Sequence, residues 1–133
     1  MTLRPRISFV TLGVDDLARA LEFYRKWMQL PEELIRDGGD HVAVTLEGGS
    51  SLVLYPRSAI ARVAGDTSGI SSSSEMVLSQ EADSPAEVQN ILMAGVAAGG
   101  KQPAPVEVTE WGASGYLLDP DGHLWEIVSF KAE

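Results

Sequence analysis

The sequence predicts an α+β fold in which one β-α-β-β-β unit is written twice. Three observations predict it. Short runs rich in β-branched and aromatic residues are separated by Gly- and Asp-rich turns. Two other stretches, opening at Asp15-Asp16 and at Ser84, carry apolar residues at helical spacing instead. The order of these elements in the first half recurs in the second. We expect a single domain over 1–133, with module one at about 5–56, a connector at about 57–74 and module two at about 75–131.

Ile7 to Val14 reads as the first strand. Asp15 and Asp16 suit a helix start, and Leu17, Ala20, Leu21, Tyr24 and Trp27/Met28 follow on one helical face, closed by Pro31. Glu33 to Arg36 is a short strand, Asp37 to Asp40 a turn, and His41 to Glu47 alternates as a strand does. Gly48-Gly49 turns the chain into Ser51 to Tyr55. The connector holds an apolar helical patch at Ala59 to Val63, then glycines and a closing run of four serines, Ser71 to Ser74, and is expected to be mobile. Met76 to Ala82 opens the second half. Ser84, Pro85 and Glu87 form a capping box with proline at the first helical position. Val88, Ile91, Leu92, Gly95 and Val96 give its helical face, and Gly99-Gly100 ends it. Three strands follow, Val106 to Thr109, Gly115 to Leu118 and His123 to Phe130, with Pro120-Asp121-Gly122 turning between the last two.

The halves overlay without a gap across the first strand. Phe9 falls on Val77, Thr11 on Ser79 and Asp16 on Ser84, while Gly49 to Val53 falls on Gly122 to Glu126. Two such units with curved sheets can close around one shared ligand cavity.

Composition narrows the function. The chain has 133 residues, enough to bury roughly two-thirds of its unfolded surface. Its 44% hydrophobic and 22% charged residues are globular values and argue against disorder. With no cysteine, disulfides, zinc ribbons, iron–sulfur clusters and thiol catalysis are excluded. A net charge of −9 opposes phosphate backbones and anionic membranes and favours a neutral or cationic small ligand. We read no signal peptide and no membrane span, and expect a cytoplasmic protein with no nucleic-acid or membrane partner.

Two segments carry a family resemblance. Ile7 to Leu17 followed by Ala20-Leu21-Glu22-Phe23-Tyr24, and Gly115-Tyr116-Leu117-Leu118-Asp119-Pro120-Asp121-Gly122-His123-Leu124-Trp125-Glu126, resemble the opening and closing signatures of the vicinal-oxygen-chelate superfamily. That superfamily groups glyoxalase I, bleomycin-resistance proteins and extradiol dioxygenases. The resemblance implies paired modules in a cupped, barrel-like mixed sheet, and a homodimer.

It also implies a test. Enzymes of the family hold one divalent metal with His and Glu at equivalent strand positions of the two modules. Carried onto this chain, those positions are Phe9, Val77, Val53 (Leu54 if the register slips by one) and Glu126. Three carry no donor atom, and one carboxylate cannot hold a catalytic cation against water. We therefore expect no metal and no cofactor. His41 and His123 lie outside the family's metal positions and read as solvated or locally hydrogen-bonded.

Glu126 is then the candidate catalytic or anchoring group. Facing a cavity, it should have a raised pKa unless a donor or cation compensates. It would serve as a general base or an anchor for a cationic or donating ligand; otherwise it is a carboxylate satisfied by nearby Ser, Thr or Tyr hydroxyls. The expected ligand-binding set is Phe9, Thr11, Val53, Tyr55, Val77, Ser79, Trp111, Tyr116 and Glu126, with Trp111 at the lip. Tyr24, Trp27 and Trp125 read as core. Gly-x-Ser-x-Gly and phosphate-loop motifs are absent, Asp119 and Asp121 suit a turn, and Glu32-Glu33 a solvated face. The expected function is metal-independent binding of a small molecule, a drug or a cationic planar ligand. The alternatives are a lyase or dioxygenase using Glu126 as base or an unrecognised metal site, and a dimeric accessory domain without catalysis.

Overall fold

The computed structural model describes residues 3–65 and 75–131. Among these described residues, eight strands form two four-stranded mixed sheets. In the first, β1 (Phe9–Val14), β2 (Ile35–Asp37), β3 (Val42–Thr45) and β4 (Ser51–Pro56) lie in the order β1-β4-β3-β2. In the second, β5 (Val77–Glu81), β6 (Glu107–Thr109), β7 (Gly112–Leu118) and β8 (Leu124–Ser129) lie in the order β5-β8-β7-β6. Each sheet pairs its first and last strands in parallel and the others antiparallel. Helix α1 (Leu17–Met28) follows β1 and α3 (Pro85–Ala97) follows β5. The fold is α+β, as expected, and the sheets are cupped rather than closed into a barrel.

The duplication is visible in the registers. Thr11 pairs with Val53 across β1 and β4, and Ser79 pairs with Glu126 across β5 and β8. Ala43 lies beside Val53 where Tyr116 lies beside Glu126. Positions that overlay in the sequence therefore occupy matching places in the two sheets.

Both main helices start at the expected caps. The Asp16 carboxylate accepts from the Arg19 N–H, and Ser84 Oγ accepts from the Glu87 N–H, each contributing about 1 kcal/mol. Helix α1 ends with Gln29 in the left-handed region (φ 51°), ahead of Pro31. A short 3₁₀ turn, Glu32–Leu34, occupies the start of the expected second strand. The connector's apolar patch is helix α2 (Arg57–Ala64); its 66–74 portion lies outside the described residues.

Each sheet buries one face. Leu12, Val14, Val44, Leu52 and Leu54 of the first sheet and Ala113, Leu117, Trp125 and Ile127 of the second join one apolar cluster with Phe23, Tyr24 and Trp27 of α1 and Val88 and Leu92 of α3. Trp27 meets Trp125 edge-on with ring centres 5.3 Å apart. Fully burying a side chain of this size stabilises by about 1.5–3 kcal/mol. Val96 departs from the expected face of α3: it is exposed, and Gly95 is buried. Eight residues on from Val88, a helix has turned about 80° past its starting face, whereas seven residues bring it back within about 20°.

Strand β7 starts at Gly112, three residues before the expected Gly115. The Gly-Ala-Ser opening has low strand propensity, but Thr109 pairs with Gly112 around a two-residue turn and Ala113 pairs with Ser129. A Cβ on Gly112 would collide with the Ser129 carbonyl, so this close strand approach requires glycine.

Candidate functional site

Alternation along the strands decides which side chains the core leaves outside. With Leu12 and Leu52 turned inward, Thr11 and Val53 turn to the opposite, open face of the first sheet. With Trp125, Ile127 and Leu117 inward, Glu126 and Tyr116 turn to the open face of the second. The register question at the end of module one has a physical answer: Leu54 is fully buried, and Val53 occupies the place matching Glu126.

Glu126 is held from both sides. Ser79 Oγ donates to its Oε1 at 2.8 Å, and the Tyr116 hydroxyl donates to its Oε2 at 3.2 Å. The three residues lie side by side on neighbouring strands β5, β8 and β7, so the sheet register itself brings the donors to the carboxylate. The Glu126 charge, followed by burial, raises the Tyr116 phenol above its ordinary value and keeps it a donor. Both donors to Glu126 are thus hydroxyls of the same sheet.

The matching place in the first sheet has no such group. Thr11, Val53 and Ala43 stand where Ser79, Glu126 and Tyr116 stand in the second. Phe9 and Val77 lie two residues ahead of Thr11 and Ser79 and are 59% and 42% exposed. Tyr55 lies opposite Gly13. Trp111 sits in the turn between β6 and β7, 48% exposed, with its ring 6.0 Å from Phe130. The structure brings together Ser79, Tyr116 and Glu126 by direct bonds and Thr11 with Val53 by register. It places Trp111 at a hairpin tip beside Phe130.

These residues do not fit a divalent cation. Of Phe9, Val53, Val77 and Glu126, one has a donor atom, and both of its oxygens already accept hydroxyl hydrogen bonds. Among the described residues no three His, Asp or Glu side chains are grouped as a metal ion would need. His41 Nδ1 bonds Asp40 at 2.7 Å and holds that carboxyl below its ordinary range. His123 Nε2–H donates to the Gly13 carbonyl at 2.7 Å.

Two further features escaped the sequence. The first is a polar seam between the modules. The Asp121 side chain is fully buried, and its Oδ1 accepts from the Asp15 N–H at 2.9 Å and from Arg19 Nη2 at 3.0 Å. Arg57 Nε donates to Asp15 at 3.1 Å, and its Nη2 donates to the Asp121 carbonyl at 3.3 Å. The second is a cleft of about 670 Å³ between the end of α1, the end of β3, strand β5 and helix α3. Ser79 is where this cleft meets the expected binding set. Among the described residues no helix is long and apolar enough to cross a membrane.

The family model described as the Glyoxalase/Bleomycin resistance protein/Dioxygenase superfamily matches residues 6–127. Among curated proteins, no sequence matches this one. Among solved structures, a glyoxalase-related enzyme from Fulvimarina pelagi is 25% identical with a TM-score of 0.80, covering 95% of this chain and 88% of its own. A glyoxalase/bleomycin resistance protein/dioxygenase family enzyme from Burkholderia phytofirmans PsJN is 16% identical, with a TM-score of 0.76 and coverage of 93% and 98%. Lactoylglutathione lyase from Agrobacterium tumefaciens is 21% identical, with a TM-score of 0.64 and coverage of 96% of both chains.

Proposed function

This chain belongs to the Glyoxalase/Bleomycin resistance protein/Dioxygenase superfamily, and from that premise we propose that it binds a small organic molecule without a metal ion. The observation that carries the reading is the Ser79–Glu126–Tyr116 row. It sets one carboxylate, steadied by two hydroxyls, on the open face of the second sheet, where Val77 is also exposed; Phe9 is exposed at the start of β1 in the first sheet. Such a surface suits a ligand with a flat or apolar body and a cationic or hydrogen-bond-donating group, because each carboxylate oxygen keeps a lone pair for a second donor. The net charge of −9 favours the same sign of ligand. Apolar side chains left outside on the two sheets, Phe9 on the first and Val77 on the second, support a homodimer in which a second copy helps to enclose the site. The acidic balance and the lack of cysteine support a cytoplasmic setting.

A second reading, a metal-independent lyase with Glu126 as base, is favoured by the glyoxalase-related enzyme from Fulvimarina pelagi. It asks Glu126 to take a proton outright on the lone pair that a donating ligand would only share, with Ser79 and Tyr116 already favouring the charged form by their hydrogen bonds.

Thermal denaturation in the presence of planar amines, their neutral amides and their carboxylates tests the proposal. A specific ligand at 100 times its dissociation constant should add about 2.7 kcal/mol of stability. Amines should stabilise more than carboxylates, and Glu126→Gln should remove that preference. Stabilisation of wild type and Glu126→Gln alike by carboxylates would count against it.

A further inference from the structure

Beyond the carboxylate face, we propose that the cleft behind it is a second small-molecule site, for a ligand with an aromatic or branched apolar body and an amide or ammonium end. Its volume of about 670 Å³ falls in the range of small-molecule sites, roughly 300–1,000 Å³. Trp27 and Trp125 are its most deeply buried lining residues. Both indole N–H groups are already used: Trp27 donates to the Ile91 carbonyl at 2.9 Å, and Trp125 donates to the Tyr24 hydroxyl at 3.0 Å. The rings therefore offer the cleft carbon surface, held in place before any ligand arrives. Met28, Leu30, Leu34 and Leu46 continue that apolar wall.

The polar groups lie towards the rim. Gln29, Thr45, Glu47 and Gln80 are exposed residues of the lining, and Glu47 is its ionisable side chain. Strand β5 is an edge strand, and an edge turns alternate backbone N–H and C=O groups outward, where an amide can pair with them. The net charge of −9 and Glu47 at the rim disfavour a carboxylate ligand and favour a neutral or cationic one. A molecule seated here would touch α1 and β3 of the first module and β5 and α3 of the second, so its binding would also tie the two modules together.

Tryptophan fluorescence of a Trp111→Phe background tests the site, because the remaining indoles, Trp27 and Trp125, both line the cleft. The probes are 2-phenylethylamine, 3-phenylpropionamide and 3-phenylpropionate, which share a body and differ in the end group. We expect saturable changes with the amine and the amide, and weaker binding of the carboxylate. Thr45→Phe narrows the mouth from an exposed position and should weaken amine and amide by about tenfold or more, with an unchanged circular dichroism spectrum. Glu47→Gln should weaken the amine by about two- to fivefold and leave the amide unchanged. No saturable change for amine or amide up to about 10 mM, tightest binding by the carboxylate, or full-strength binding by a folded Thr45→Phe would each overturn the proposal.

Discussion

Tyr24 on α1 and Asp119 at the end of β7 stand 95 residues apart in the chain and share a buried hydrogen bond of 2.5 Å, with the phenol donating to Oδ2. The same phenol oxygen accepts from Trp125 Nε1, and Asp119 Oδ1 accepts from the backbone N–H groups of Asp121 and His123 at 2.9 and 2.8 Å. One hydroxyl thus ties the first helix to the turn that delivers β8, the strand carrying Glu126. Tyr24→Phe would leave a buried carboxylate oxygen and an indole N–H without their partner, at a cost of about 2–3 kcal/mol. Urea denaturation at neutral pH should show that loss with an unchanged slope.

Alkaline pH probes the same group. Burial, and then the Asp119 charge, push the Tyr24 phenol far above its ordinary value of 10.0. An unfolded tyrosine ionises near that value while the folded one keeps its proton. The unfolded state then binds fewer protons, so stability is present in full below pH 10 and falls above it, by about 1.4 kcal/mol per unit. Tyr24→Phe should shallow this decline, as measured by denaturation at successive pH values.

The seam at Asp121 predicts a second loss. Its carboxylate is fully buried and joins Arg19 and the Asp15 backbone across the modules. Asp121→Ala should destabilise by about 2 kcal/mol, below the value for a wholly buried pair because Arg19 is half exposed. Arg57→Ala, which loses the exposed Asp15 and a longer contact of 3.7 Å with the Asp121 carboxylate, should cost less, about 0.5–1 kcal/mol. Chemical denaturation of the two variants checks the order.

How far the sequence reached can be argued from single residues. Asp16 and Ser84 announced both helix starts because a cap is a local interaction, closed within three residues. The overlay of Thr11 on Ser79 and Val53 on Glu126 proved to be a spatial equivalence because the pleat conserves facing along a strand. Ser79 and Tyr116 as donors to Glu126 followed from strand register, which the sequence supplied only in part. The Arg19–Asp121 pair spans 102 residues, and the cleft is assembled from α1, the 3₁₀ turn, β3, β5, α3 and β8. Neither leaves a local signature, since only the packing of α1 against both sheets creates them.

Tyr116 offers a direct probe of the candidate site. The Glu126 charge is the largest cause of its raised phenol. Glu126→Gln should therefore lower the Tyr116 titration midpoint towards the ordinary tyrosine value. Ultraviolet difference titration of the phenolate, with Tyr116→Phe to assign the signal, measures it. An unmoved midpoint would mean the two side chains do not meet.

On the proposed function, hydrocarbon at Phe9, Val53 and Val77 leaves Glu126 as the one donor-bearing side chain of the four positions and the ligand site independent of a cation. Elemental analysis of untagged protein, purified without chelator and then equilibrated with nickel, zinc, iron and manganese salts and desalted, addresses it most directly. Far less than one equivalent of any of them per chain is expected. One firmly retained equivalent that Glu126→Gln releases would contradict it.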